Sequence, residues 1–247
     1  MQIIPLPEGV FTVDRSKIFQ PFIVGQDELQ ERPVGSLLVE VQPFLVITEQ
    51  DYILLDTGLG FKKNGILQIH INLQKHGISP EKITKVLISH LHKDHAGGIC
   101  LHDAFGNLQP SFPFATYYVQ QKELVYAAER SASSYIPQTV NFLNSYGKVK
   151  ILDGKGKIDD YIEYSLSGGH SPFHQVFMIR EKDEIIFYGG DEAPQLQQMK
   201  NKVIAKYDFD GRISMQLRQK WWQQGNQEKW SFLFYHDVKK PVFKIQL

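Results

Sequence analysis

One cysteine, Cys100, is present in 247 residues. A lone thiol cannot close an intramolecular disulfide and cannot build a cysteine-rich zinc module, so a reducing, cytoplasmic setting is expected, and any metal must rely on nitrogen and oxygen ligands. Charge of one sign is lacking as well: 27 Lys and Arg balance 27 Asp and Glu. Without a basic stretch the footprint of a phosphate-backbone binder is missing, and no nucleic acid partner is expected. No run approaches the roughly 18 apolar residues of a membrane span. The N-terminus "MQIIPLPEGVFTVDRSK" has no basic stretch leading into a long apolar one, so neither a membrane association nor a secretory leader is expected.

What is present is a series of short apolar runs bounded by turn residues. "SLLVEVQPFLVITEQ", "DYILLDTGLG" and "KVLISH" read as strands. In "GILQIHINLQKHGISPEKI", Ile66, Ile69 and Leu73 fall at helical spacing, with a stop and restart at "HGISPEKI". "ATYYVQQKELVYAAERS" reads as a strand running into a helix, and "VNFLNSYGKVKILDGKGKI" as a helix, a strand and a turn. The second half adds "EYSLSGGH", "HQVFMIR", "EIIFYGGDE", a helical "RISMQLRQKWWQQG" and a last "SFLFYHD". Strands in both halves with helices between them favour an α/β (α+β) fold of two sheets with helices outside. No repeat or linker interrupts the chain, and residues 1–247 are expected to form a single domain.

The coordinating residues are concentrated at strand ends. In "KVLISHLHKDHAGG", the apolar Val86, Leu87 and Ile88 suit a buried strand, and His90 and His92 fall at its end. Residues two apart in extended backbone point the same way, so these two can grip one ion. Asp94 and His95 lie past the turn and can face a second, while Gly97 and Gly98 let the backbone approach closely. Solvated loop histidines are the bland alternative for any one of them, but not for the set. His170 and His174 in "GGHSPFH", Asp191 in "FYGGDE" and His236 in "FLFYHD" repeat the theme.

"DTGLG" (Asp56), "HLHKDH" (His90, His92, Asp94, His95), "GGH" (His170), "GGD" (Asp191) and "FYHD" (His236), in that order, resemble the metallo-β-lactamase fold superfamily of metallohydrolases. The resemblance implies a four-layer αββα sandwich with a dinuclear metal site. It places His90, His92 and His170 on one ion, Asp94, His95 and His236 on the other, and Asp191 between them. Asp56 would support the site, a role compatible with simply starting a turn. His174 would be a supporting rather than a ligating histidine, and His70, His76 and His102 match no motif. "YDFDGRISMQLRQKWW", through Asp208, Asp210 and Arg218, is similar to a segment of the methyl parathion hydrolase and lactonase-like branch; a polar turn before an exposed helix face is the other reading. The chain departs from the best-known acyl-homoserine lactonases at Pro194, where they carry a tyrosine three residues after the bridging aspartate.

Two divalent ions, zinc by preference with iron or manganese also accepted by such ligands, would trap a bridging hydroxide, with Asp94 orienting it and Asp191 moving a proton to the leaving group. The expected substrate is a small, uncharged or weakly charged ester, lactone or organophosphate triester. Phe19, Phe22, Tyr135, Trp221 and Trp222 are available to line a pocket or to serve as core. An iron-dependent oxidoreductase of the same fold is the alternative, and the branch implies a homodimer.

Overall fold

A computed structural model describes residues 1–130 and 134–245. Two six-stranded sheets carry the architecture, and in each the strands lie side by side in chain order. The first runs Gln2–Pro5, Phe44–Ile47, Tyr52–Leu55, Lys85–Leu87, Thr116–Gln120 and Val149–Leu152; its last four strands are parallel. The second runs Lys155–Ile158, Ile162–Leu166, Gln175–Glu181, Glu184–Tyr188, Ser231–Leu233 and Val242–Lys244, and only the pair Glu184–Tyr188 and Ser231–Leu233 is parallel.

The side-chain alternation of these strands explains the layering. Phe44, Val46, Ile53, Leu55 and Leu87 point from the first sheet toward Phe177, Ile179, Ile186, Tyr188 and Leu233 of the second, forming the inter-sheet core. The intervening Leu45, Leu54 and Val86 face the other way. There they meet Ile69 and Leu73 of α1 (Gln68–Lys75), Leu124 and Ala127 of α3 (Gln121–Ala128) and Val140 and Leu143 of α4 (Pro137–Ser145). On the outer face of the second sheet, Val176, Phe187, Phe232 and Phe234 pack with Leu196 and Met199 of α5 (Leu196–Lys200), with Trp221 of α6 (Gly211–Glu228) and with Trp230. The result is the expected αββα sandwich. Because both faces of both sheets are covered, the strands read as continuous apolar runs rather than as alternating ones.

Some details differ from expectation. Ile66 does not belong to a helix: it pairs with Lys63 in a small hairpin behind Gly65, whose φ of +80° turns the chain, and α1 starts only at Gln68. A three-stranded sheet of Phe19–Pro21, Gly9–Val13 and Leu37–Val41 adds to the N-terminal side. Trp221 is buried and Trp222 packs beside it, so both are core rather than pocket residues. Among the described residues no helix is long and apolar enough to cross a membrane.

Phe177 is fully buried between the sheets. Phe177→Ala is expected to cost about 3–5 kcal/mol of stability, read as a lower urea midpoint with an unchanged slope.

Candidate metal centre

Parallel strands deliver their C-terminal ends to one edge, and the polar residues follow there. Tyr52–Leu55 runs into Asp56, Lys85–Leu87 into His90, Glu184–Tyr188 into Asp191, and Ser231–Leu233 into His236. A four-residue turn of helix, α2 (Lys93–Ala96), starts directly after His92 and carries Asp94 and His95. It can lie against the "DTGLG" turn only because of its glycines. A β-carbon on Gly97 would stand 2.2 Å from the Leu59 carbonyl oxygen, and one on Gly98 2.2 Å from that of Thr57. Thr57 donates its amide to the His95 carbonyl at 2.7 Å, and Gly97 donates to the Gly58 carbonyl at 2.8 Å.

The side chains gather into two groups. His90, His92, His170 and Asp191 form one; Asp94, His95, Asp191 and His236 form the other; within each, one candidate ligand atom per residue lies within 4.8 Å of the others. In the first, His90 Nε2 stands 2.8 Å and His170 Nε2 3.2 Å from His92 Nδ1. Asp191 joins both groups. Its Oδ2 is 3.2 Å from His170 Nε2, while its Oδ1 is 2.9 Å from His236 Nε2 and 3.1 Å from His95 Nε2. Asp94 Oδ2 lies 3.5 Å from His236 Nε2 and 3.7 Å from His95 Nε2.

Three imidazole nitrogens converging at about 3 Å cannot satisfy one another, because each neutral ring has one donor and one acceptor. His95 Nε2 and Asp191 Oδ1 are buried without a hydrogen-bond partner. Such spacing and such orphaned lone pairs fit nitrogen and oxygen ligands about 2 Å from a divalent ion.

Protonation follows the same geometry. Burial and the crowding of neighbouring imidazoles push His90 and His92 well below the ordinary histidine range. Burial pulls His95, His170 and His236 the same way, but Asp191 and its fellow carboxylates outweigh it and hold all three above that range. Burial would raise Asp191, yet the histidines around it, His236 foremost, bring it well below the usual carboxylate value.

The family model described as the metallo-beta-lactamase superfamily matches residues 38–222. The chain belongs to the metallo-beta-lactamase superfamily. It is 26% identical over 257 aligned residues to an N-acyl homoserine lactonase of Bacillus cereus, covering 95% of this chain and 92% of that one. A probable metal-dependent hydrolase from Staphylococcus aureus superposes with a TM-score of 0.77 at 23% identity, over 98% of this chain and 91% of the other. AidC, a dizinc quorum-quenching lactonase, superposes with a TM-score of 0.73 at 22% identity, over 97% and 88%. This company bears out the expectation of a hydrolase and lends nothing to the iron oxidoreductase alternative.

His90, His95, His170 and His236 are each held from behind. Asp56, at φ +56°, is the centre of one network: its carboxylate accepts from the Ser89 amide at 2.7 Å, the Ser89 hydroxyl at 2.6 Å and the Tyr188 hydroxyl at 2.5 Å, and lies 2.7 Å from His95 Nδ1. Ser89 Oγ in turn is 3.1 Å from His90 Nδ1. Asp208 Oδ1 is 3.1 Å from His170 Nδ1, and Glu40 offers its carbonyl to His236 Nδ1 at 2.6 Å. Arg218 is buried, not on an exposed helix face; it donates to the carbonyls of Glu192 and Val203 and approaches Asp208 at 4.0 Å. Asp210 instead caps α6, accepting from the amides of Arg212 and Ile213.

His174 does not join either ligand group. It accepts from the Asp191 amide at 3.2 Å and meets Ser167 Oγ at 2.8 Å, and burial pushes its pKa down to about 4. His70 packs near the Ser111 carbonyl, away from both groups. Pro194 supplies only a carbonyl, which accepts the His236 amide at 3.0 Å. Tyr135, open to a pocket or a core reading, is buried beside His92 with ring centres 5.0 Å apart, and Phe22 lines a separate 260 Å³ cavity with Phe11 and Phe61.

Several supporting residues carry no motif. Tyr235 stacks on His95 at 4.0 Å and donates to the Asp94 carbonyl at 2.5 Å. Glu123 is buried and accepts the Leu91 amide at 2.9 Å, between His90 and His92; burial raises its pKa to about 7. Tyr188 and Tyr235 could have been suspected from a polar tip at the end of an apolar strand.

A metal ion needs neutral imidazoles, whereas the carboxylates around His95, His170 and His236 outweigh burial and raise their pKa above the ordinary histidine value. Zinc binding at pH 7 is expected to release protons, and affinity to fall as pH drops toward 5; titration calorimetry in buffers of different ionisation enthalpy reads the proton count.

Proposed function

We propose that the chain is a dinuclear metal-dependent hydrolase of lactones or similar small esters, with His90, His92, His170 and Asp191 holding one ion and Asp94, His95, His236 and Asp191 the other. The observation that carries this reading is Asp191, whose two carboxylate oxygens face two separate histidine sets. An organophosphate triester, a different electrophile that presents a comparable oxygen, ranks behind the lactone or ester. Zinc is the metal we favour, on the nitrogen-rich donor set and on the dizinc lactonase that shares the fold.

Bound divalent ions supply Lewis-acid polarisation of the substrate oxygen and lower the pKa of water toward neutrality. The residues supply position and proton traffic. Asp94 Oδ2, lying between His95 and His236, is placed to accept a hydrogen bond from the attacking water and orient it. Asp191 would hold the two halves of the site at one spacing, and its carboxylate would take a proton from the attacking water and pass it to the leaving oxygen. The Asp56 and Asp208 contacts to the far nitrogens of His95 and His170 set ring orientation, and with it which nitrogen is offered. We read residues 1–247 as one catalytic unit acting on a small-molecule substrate in the cytoplasm, and as a homodimer by analogy with its branch.

Lactones, aryl esters and phosphotriesters assayed on zinc-loaded enzyme test this. Wild type is expected to turn over at least one of these classes, and Asp191→Ala and His95→Ala to fall to background while keeping native circular dichroism. Retention of most activity by either variant would contradict the dinuclear assignment.

A further inference from the structure

Beside the turn that carries His92, Asp94 and His95 stand two lysines, Lys93 and Lys17, for which no ion pair is found among the described residues. Lys93 opens α2, in the chain between His92 and Asp94, and is half-buried. Its ammonium stands 5.9 Å from the ring centre of Phe19, on the strand that follows the turn at residues 14–18. Lys17 lies in that turn, at φ +60°, and is also half-buried. Among the described residues neither lysine has a carboxylate within 4 Å, whereas the more deeply buried Lys85 is paired with both Asp51 and Asp159.

The acidic groups nearby are already engaged. Asp94 and Asp191 face the histidines, and Asp208 faces His170 and Arg218. In the turn itself, Asp14 accepts from the Ser16 amide at 2.8 Å and the Ser16 hydroxyl at 2.6 Å. Lys17 precedes by two residues Phe19, the ring that the Lys93 ammonium reaches. A half-buried ammonium without a carboxylate partner is available to bind an anion, because desolvation weakens its hold on water and strengthens its field.

We propose that Lys93 and Lys17 form an anion-recognising rim, and that the substrate of this site is an ester or lactone carrying a carboxylate or comparable anionic group beside the scissile bond. The rim is a specificity device: it takes no part in bond breaking but docks the anionic end while the ester oxygen meets the metal centre. The inference rests on the hydrolase reading and sharpens it, narrowing the uncharged or weakly charged substrate that whole-chain neutrality suggests to an anionic one.

A matched pair of esters tests it: neutral 4-nitrophenyl butyrate and mono(4-nitrophenyl) glutarate, which bears a carboxylate. Zinc-loaded wild type is expected to favour the glutarate ester about tenfold in kcat/KM, mostly through KM and less so at high salt. In the Lys17→Met/Lys93→Met double variant the ratio should fall to within about twofold, and Lys93→Arg should retain the preference. No charge preference in wild type, or one that survives in the double variant and so comes from the metals alone, overturns the rim while the hydrolase reading stands. Inertness toward both esters counts against the hydrolase reading instead. The rim is then decided by calorimetric binding of glutarate to the zinc-loaded protein: weaker binding in the double variant supports it, and equal binding overturns it.

Discussion

A carboxylate taken out of water must find its compensation locally, and Asp191 meets that constraint by standing between two sets of imidazoles. The rest of the site is arranged around it. Its strand, Glu184–Tyr188, lies next to Ser231–Leu233, so the chain leaving the second strand brings His236 to Oδ1. The first sheet, packed face to face through Phe44, Leu55, Phe177 and Tyr188, brings the His90 to His95 segment to the same edge. The two sheets thus contribute different halves of one centre, and the inter-sheet core sets the distance between them.

A second carboxylate, Asp56, does for orientation what Asp191 does for charge. It ties Ser89, Tyr188 and His95 together, which couples the candidate metal-binding turn of the first sheet to a strand of the second. Arg218 plays the corresponding part from α6, spanning Glu192 and Val203 and approaching Asp208 behind His170. Interactions of this kind fix ring tautomer and direction, which commonly govern metal affinity as strongly as the ligands' identity.

Much of this was legible in the sequence. His90, His92, Asp94 and His95 are contiguous, and His170, Asp191 and His236 each follow an apolar run, so ligand chemistry and strand ends coincide in one dimension. The layering was inferable from strands in both halves, but not which face of each strand met which layer, because both faces are apolar. Ile66 was misplaced because helical spacing continues through it, while the turn at Gly65 decides the backbone. Glu123, Ser89, Tyr188 and Tyr235 went unmarked: each acts through a contact distant in sequence or through a backbone amide, and leaves no spacing to read. An exposed helix face was one of two readings open for Arg218, since its partners, Val203 and Glu192, converge only in the fold. The net charge of zero says nothing of Lys17 and Lys93, which have no carboxylate within 4 Å among the described residues, because neutrality is a sum over the chain and a field acts at one place.

The central claim is that this one buried carboxylate organises two metal sites rather than one. Native mass spectrometry of protein loaded with zinc and then desalted tests it most directly. The account predicts two zinc ions per chain in the wild type and loss of paired occupancy when Asp191 is replaced by alanine. A wild type that retains a single ion, or an alanine variant that keeps two, would contradict it.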